Sequence, residues 1–281
     1  MKGVRFMHNI KSKIFAAFLS FAIALSLAPA MTSRADSKCG DNAYYKVEGS
    51  TVTISGTGAM WDYEDPVGVD IEEGTPAPWL WEESDRDAIK SVIIEEGITY
   101  IGESTFSHCQ YLKNVSLPKS LKKIGCAAFF CSGLESITIP ASVTTIENLA
   151  FFETSIKSLY IPKSVTFIGQ EAFSCCYDLT SVTGGEGLKT IRAGAFSRCA
   201  ELKTFKITSK KLKKIGSSTF YADKNLKTLY LQKTTKLTKA GVKKSLRGSS
   251  VKKIKVKRSK IRKYRKIFKK SNSGRKVKIT K

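Results

Sequence analysis

"LYIPKSVTFIGQEAFSCC", Leu159 to Cys176, decides the fold because the chain writes the same phrase repeatedly. Near-copies stand upstream as "ITIPASVTTIENLAFF" (Ile137 to Phe152) and "VSLPKSLKKIGCAAFFC" (Val115 to Cys131). Aligned on this phrase, repeats begin at Ile89, Leu112, Leu134, Ile156, Leu179, Leu202 and Leu226, with a degenerate one at Val251. Successive spacings are 23, 22, 22, 23, 23, 24 and 25 residues. A period of this size is the mark of stacked units, each unable to bury its apolar face alone.

The slots of one repeat carry the physics. Val115 and Leu117, Ile137 and Ile139, Leu159 and Ile161, and Leu229 and Leu231 alternate with polar neighbours. That alternation suits a strand with one buried face. Pro118, Pro140 and Pro162 end the strand, since proline donates nothing to a ladder. A second apolar pair follows, as in Val143 with Ile146 and Val165 with Ile168, and Gly102, Gly125, Gly169 and Gly216 are expected to permit a tight bend. A phenylalanine column closes the unit: Phe106, Phe129, Phe151, Phe173, Phe196 and Phe220. The expected object is a repeat solenoid with a parallel β-sheet face, roughly 35–40 Å long for eight coils at about 4.8 Å per strand.

The pattern L-x-x-V/I-x-I/L-P-x-S-V/L-x-x-I-G-x-x-A-F-x-x-C resembles the bacterial leucine-rich repeats of the BspA type, a family of secreted and surface proteins. The likeness covers residues 89–250. It departs from the commoner leucine-rich repeat by lacking the asparagine of L-x-x-L-x-L-x-x-N, near whose place stand Ser120, Ser142 and Ser164. "CGDNAYYKVEGSTVTISGTGAMWDY" (Cys39 to Tyr63) is similar to the small β-rich module that often precedes such repeats. Its "VEGSTVTISGTG" also reads independently as a hairpin turning at Gly49-Ser50. The resemblance implies a leucine-rich-repeat solenoid and a role in surface binding or adhesion, and it names no ligand.

The two ends have their own character. Lys2, Arg5, Lys11 and Lys13 precede the apolar run Ile14 to Ala30, and small residues follow. That order predicts a secretory signal peptide within residues 1–35, cut after Ala30 or Ala35. No second long apolar run follows, so an exported or cell-surface protein without a membrane span is expected. The chain carries 48 lysines and arginines against 24 aspartates and glutamates, yet after Asp223 there are 24 basic residues and no acidic one. The whole net charge of +24 therefore belongs to the last fifth of the chain, while residues 39–88 are acidic. Such blocks report on partners and solvation more than on fold. In "KIRKYRKIFKKSNSG", Ile261, Tyr264, Ile267 and Phe268 lie at helical spacing, with Gly274 as a stop, and Val277 and Ile279 fit a closing strand. Residues 39–88 thus read as a β-rich N-terminal module, 89–250 as the solenoid and 251–281 as a basic α/β cap.

Chemistry finds little foothold. His108 is the only histidine beyond the signal peptide, and no G-x-S-x-G, phosphate loop or dinucleotide fingerprint follows a strand. Asp62, Glu64 and Asp65 do not fit a calcium loop and read as solvated. No enzyme, cofactor or metal is expected. Cys109, Cys131, Cys176 and Cys199 follow the column phenylalanine by two or three residues. They read as small apolar filler. Their spacing from coil to coil also falls within disulfide reach, which leaves Cys109–Cys131 and Cys176–Cys199 as alternative bridges. Cys126 and Cys175 lie outside that column and are expected at the surface. Trp61, Trp79 and Trp81 read as the core of the N-terminal module.

A binding face is easier to place. Between the two buried residues of each strand stands one outward position: Ile93, Ser116, Thr138, Tyr160, Thr183, Lys206, Tyr230 and Lys255. The candidate ligand face is Ser116, Thr138, Tyr160, Thr183, Lys206, Tyr230 and Lys255, a hydroxyl-rich floor that turns basic, suited to a protein or glycan ligand. Lys257, Arg258, Lys260, Arg262, Lys263, Arg265 and Lys266 are the candidate contacts to anionic cell-wall polymers or other polyanions. Aromatics there are sparse, so no dedicated nucleic-acid module is expected.

Overall fold

The computed structural model describes residues 34–65, 76–80 and 83–281. Nearly all of the expected signal peptide, residues 66–75 and Trp81 lie outside the described residues.

The chain begins as a meander. Arg34–Lys38 pairs antiparallel with Asn42–Glu48, which pairs with Thr51–Ala59 across a turn where Gly49 takes φ 55°. The last of these strands founds the solenoid. Its first half pairs parallel with Ser91–Ile94, and its end, Gly58 and Ala59, pairs parallel with Ile98–Ile101. Between the halves the strand bends at Gly56, where a Cβ would come within 2.1 Å of the Asn42 carbonyl oxygen. The N-terminal hairpin thereby covers the open end of the core.

From there about eight coils stack in parallel. All but the coil that begins at Leu134 contribute a longer strand to one side: Ser91–Ile94, Asn114–Ser116, Ser158–Ile161, Ser181–Gly184, Thr204–Ile207, Thr228–Tyr230 and Lys253–Lys255, with Lys278–Thr280 as the closing strand. Prolines follow two of these strands and the strandless segment 136–139, and the carbonyls of Pro118, Pro140 and Pro162 accept turn bonds from Leu121, Val143 and Val165. A second face is a ladder of short strands: Ile98–Ile101, Lys123–Ile124, Thr145–Ile146, Phe167–Ile168, Thr190–Ile191 and Lys214–Ile215.

The third face is a ladder made of turns. Backbone N–H groups of each coil donate forward to carbonyls of the next: Ala127 to Asn148, Phe129 to Ala150 and Cys131 to Phe152, then Leu149 to Gln170, Phe151 to Ala172 and Glu153 to Ser174. The residues two before and two after the phenylalanine take positive φ. Among the described residues, twelve non-glycine residues have positive φ, from Ser104 at 52° to Lys244 at 55°, and all lie in this ladder. A left-handed backbone is costly for such residues, and the repeated hydrogen bonds hold them there. Gly102, Gly125, Gly169 and Gly216 serve a different purpose from the expected bend. They do not need positive φ. A Cβ on Gly125 or Gly169 would lie 2.3–2.5 Å from the backbone of the preceding coil, so these glycines allow close coil-to-coil approach.

Aromatic rings run through the core. Phe106, Phe129, Phe151, Phe173 and Phe196 stack with centroids 5.1–5.5 Å apart, all fully buried. Trp79 from the N-terminal module stacks on Phe106 at 5.7 Å and donates its indole N–H to the Thr105 carbonyl at 2.9 Å. It therefore tops both the ring stack and the turn ladder. At the far end the stack is broken, because Phe205 enters edge-on between Phe196 and Phe220. The C-terminal segment then closes the core. Helix Ile261–Ile267 buries Tyr264, whose hydroxyl donates to the Thr234 carbonyl at 2.8 Å. A short helix, Lys270–Ser273, offers the Asn272 and Ser273 carbonyls to the N–H groups of Lys244 and Leu246, ending the turn ladder. Gly274, at φ 86°, caps that helix, and Lys278–Thr280 pairs with Lys253–Lys255.

Candidate ligand-binding face

Pairing register decides which side chains line up. Tyr160 pairs with Thr183, Thr183 with Lys206, Lys206 with Tyr230, Tyr230 with Lys255, and Lys255 with Thr280. Five of the seven candidate face residues therefore form one column across a continuous six-stranded sheet. Their neighbours Ser158, Ser181 and Thr204 make a second, hydroxyl column, and Thr228, Lys253 and Lys278 continue it. Tyr160 is 66% exposed, and its ring lies over Gly184, where a Cβ would come 3.0 Å from the ring edge. The Lys255 ammonium sits 5.6 Å from the Tyr230 ring centroid, a distance suited to cation–π attraction.

Ser116 and Thr138 belong to a separate part of the face. Ser116 pairs with Ile93 in the upstream sheet, whereas residues 136–139 form no strand. The long-strand face is split at this coil, although the short ladder runs on through Lys123–Ile124, Thr145–Ile146 and Phe167–Ile168. Val115, Leu117 and Ile137 are only partly buried, unlike the corresponding residues of other coils. A groove of about 440 Å³ opens here, lined by Thr51, Ile93, Asn114, Val115, Ser116, Ile137 and Thr138 among others. Beside it, Glu135 accepts from Lys113 at 2.8 Å and Lys157 at 2.6 Å, and these two ammoniums hold its carboxyl down to about 2. The repeat pattern is intact over Ile137 to Pro140, so nothing in the sequence signalled the split.

The basic candidates lie elsewhere. Lys257, Arg258, Arg262, Lys263, Arg265 and Lys266 are exposed and Lys260 is half-buried, on the 3₁₀ turn Arg258–Lys260 and the helix Ile261–Ile267. They stand off the sheet column, and the Lys263 ammonium is engaged by the Thr235 carbonyl at 2.8 Å. Position, not composition, separates the two candidate surfaces.

All seven cysteines are free thiols. Cys109 and Cys131 occupy different slots: Cys109 turns inward and is fully buried, while Cys131 is half-buried with its sulfur 3.8 Å from a Glu153 carboxylate oxygen. The alternative of a Cys109–Cys131 bridge is corrected by that difference of slot. Cys176 and Cys199 share the inward slot and each donates to a carbonyl of the preceding coil, Phe151 and Phe173, at 3.2 Å. Cys175, expected at the surface, is buried, because its turn-ladder position packs against the neighbouring coils. Asp223 holds the inward slot one coil later. It accepts from the Cys199 N–H at 2.9 Å, its other oxygen has no partner, and burial pushes its carboxyl up to about 9.

The N-terminal acidic residues act as ties. Asp62 accepts from the Tyr100 hydroxyl at 2.6 Å and the Glu103 N–H at 2.8 Å, and Asp65 lies 3.2 Å from His108. Both fix the module to the first coils, a structural use beyond the solvated loop expected for them. Trp61 is 43% exposed and bonds Asp41, so of the two described tryptophans only Trp79 is core. Among the described residues no group of three histidine, cysteine or acidic side chains is placed to hold a metal ion, and no helix is long and apolar enough to cross a membrane.

The family described as "BspA type Leucine rich repeat region (6 copies)" matches residues 84–154 and 144–275. Among solved structures, the chain is similar to a leucine-rich repeat protein of Eubacterium ventriosum, with 18% identity, a TM-score of 0.47, and 88% of this chain and 84% of that one covered. It is similar to the leucine-rich repeat protein of T. pallidum at 23% identity and a TM-score of 0.49, covering 68% and 87%. A leucine-rich repeat protein of Bacteroides ovatus matches at 21% identity and a TM-score of 0.43, covering 85% and 76%. No curated protein matches the chain.

Proposed function

Because the chain belongs to the BspA-type leucine-rich repeat family, we propose that it is an exported binding protein that recognises a protein or glycan through its long-strand face. The observation that carries this reading is the register-locked column Tyr160, Thr183, Lys206, Tyr230 and Lys255, exposed or half-exposed on a rigid sheet. A sheet held by its whole stack presents these side chains already ordered, which lowers the entropy lost on binding. Tyrosine supplies large contact area with few rotatable bonds. The role is adhesion or recognition at the cell surface, without catalysis.

A second element is retention. The 24 basic residues after Asp223, without one acidic residue, favour electrostatic capture by anionic wall polymers. The competing reading makes polyanion capture the whole function and the solenoid its scaffold.

Substitution separates the two better than truncation, since cutting after Asp223 would uncover Phe220 and the coil beneath it. Tyr160→Ala with Tyr230→Ala, and a charge-reversed Lys257/Arg258/Arg262/Arg265 variant, are compared for binding to purified cell walls across a salt series. Face recognition predicts that the tyrosine variant loses binding that persists at high salt. If binding disappears by 0.5 M salt in the unaltered protein and the tyrosine variant behaves identically, the face reading is wrong.

A further inference from the structure

A second groove lies away from the long-strand face. The short-strand ladder ends at Lys214–Ile215, and in the next coil the 3₁₀ turn Ala240–Val242 replaces a strand. The mismatch leaves a groove of about 370 Å³ that draws Gln170, Arg192, Lys214, Ser217, Lys243 and Lys244 from four successive coils. Its long direction follows the solenoid axis and spans roughly 15 Å at about 4.8 Å per coil.

The chemistry of the lining is one-sided. Four cations from three coils face the groove, and no carboxylate lines it. Arg192, Lys214, Lys243 and Lys244 are exposed, and none makes an ion pair among the described residues. Like charges gathered on a rigid frame repel one another, a cost that a bound anion removes. Gln170 and Ser217 add neutral hydrogen-bonding groups between the charges. The volume falls in the range of ligand clefts, roughly 300–1,000 Å³, so more than a lone inorganic ion fits. No aromatic side chain lines it, which removes the stacking platform that a nucleobase uses.

We propose that this groove binds a linear polyol-phosphate polymer, with successive phosphodiester groups seated against Arg192, Lys214 and the Lys243–Lys244 pair. The proposal deepens the retention half of the reading above and rests on it, but moves the contact from the C-terminal helix to the ladder's end. Arginine offers a planar fork to a phosphate, and the lysines act as point charges spaced by the coil repeat.

The test uses full-length protein and a synthetic glycerol-phosphate hexamer, titrated calorimetrically at physiological salt. The variant Arg192→Gln/Lys214→Gln/Lys243→Gln/Lys244→Gln is compared with Lys257→Gln/Arg258→Gln/Arg262→Gln/Arg265→Gln, which removes the same charge from the helical surface. All eight side chains are exposed, and thermal denaturation confirms that each variant folds. The groove variant is expected to lose affinity by about 100-fold or more, because it removes the charges that would neutralise successive phosphates, while the helical variant retains most of it. Equal losses in both variants would show diffuse charge and overturn the site. Absence of binding by the unaltered protein, or tighter binding of a six-nucleotide single strand or a sulfated hexasaccharide, would overturn the occupant. None of these outcomes touches the tyrosine face, whose own test is separate.

Discussion

Asp223 sets the sharpest expectation for a single residue. Its carboxyl is pushed up to about 9 by burial, with one oxygen unpartnered. In the unfolded chain it would ionise near pH 4. Between those values the folded state holds a proton that the unfolded state has released, so stability is full below pH 4 and is lost as pH rises toward 9. Asp223→Asn is expected to raise stability at pH 7 by roughly 1–3 kcal/mol and to have little effect near pH 4. Denaturant melts at the two pH values measure this, and an equal shift at both would refute it. The thiols give a second expectation: Cys39, Cys109, Cys176 and Cys199 are fully buried and stay unlabelled by an alkylating reagent until the protein unfolds. Sequence reading found the cysteine column but merged two slots. Cys109 and Cys131 differ by one residue relative to their phenylalanines, and in a turn where left-handed residues alternate, one residue reverses the side chain from core to surface.

The element that most depends on its neighbours is the phenylalanine stack. Phe151 lies between Phe129 and Phe173 with rings within 8° of parallel. Phe151→Ala should cost about 3–5 kcal/mol, and a calorimetric melting shift well below that would mean that the stack collapses around the vacancy. Trp79→Phe keeps a ring on the stack but abandons the Thr105 carbonyl, so a loss of about 1–3 kcal/mol is expected. Period and apolar alternation made the stack and the strand columns legible, because each slot repeats. The turn ladder was not legible, since no side-chain preference marks it: Ser104, Ala127, Leu149 and Glu171 all hold its first left-handed position. Backbone bonds choose that conformation. The split at residues 136–139 escaped for the same reason, as its residues match the repeat while their backbone pairs with nothing.

For the whole molecule, charge asymmetry governs association. The basic C-terminal fifth repels itself at low ionic strength, so moderate salt or a soluble polyanion is expected to raise the melting temperature, with the polyanion acting at far lower concentration. Scanning calorimetry against sodium chloride and against linear polyphosphate checks this, and insensitivity to both would mean that the charges are too dispersed to interact. The candidate face was readable because outward positions follow directly from strand alternation. The groove at Arg192, Lys214, Lys243 and Lys244 was not, because its residues are scattered over 53 positions and meet only where a strand gives way to a turn.

The forward-donating turn ladder has a consequence for inheritance. From Ser104 to Arg198 each coil offers the same three forward hydrogen bonds to the next, and the two ends of the ladder meet specialised partners in Trp79 and the Lys270–Ser273 helix. Recombination between two repeats of the gene therefore adds or deletes one interchangeable rung and leaves both terminal seals intact. The length of the solenoid is thus a quantity that can be tuned in steps, without any new fold having to be invented.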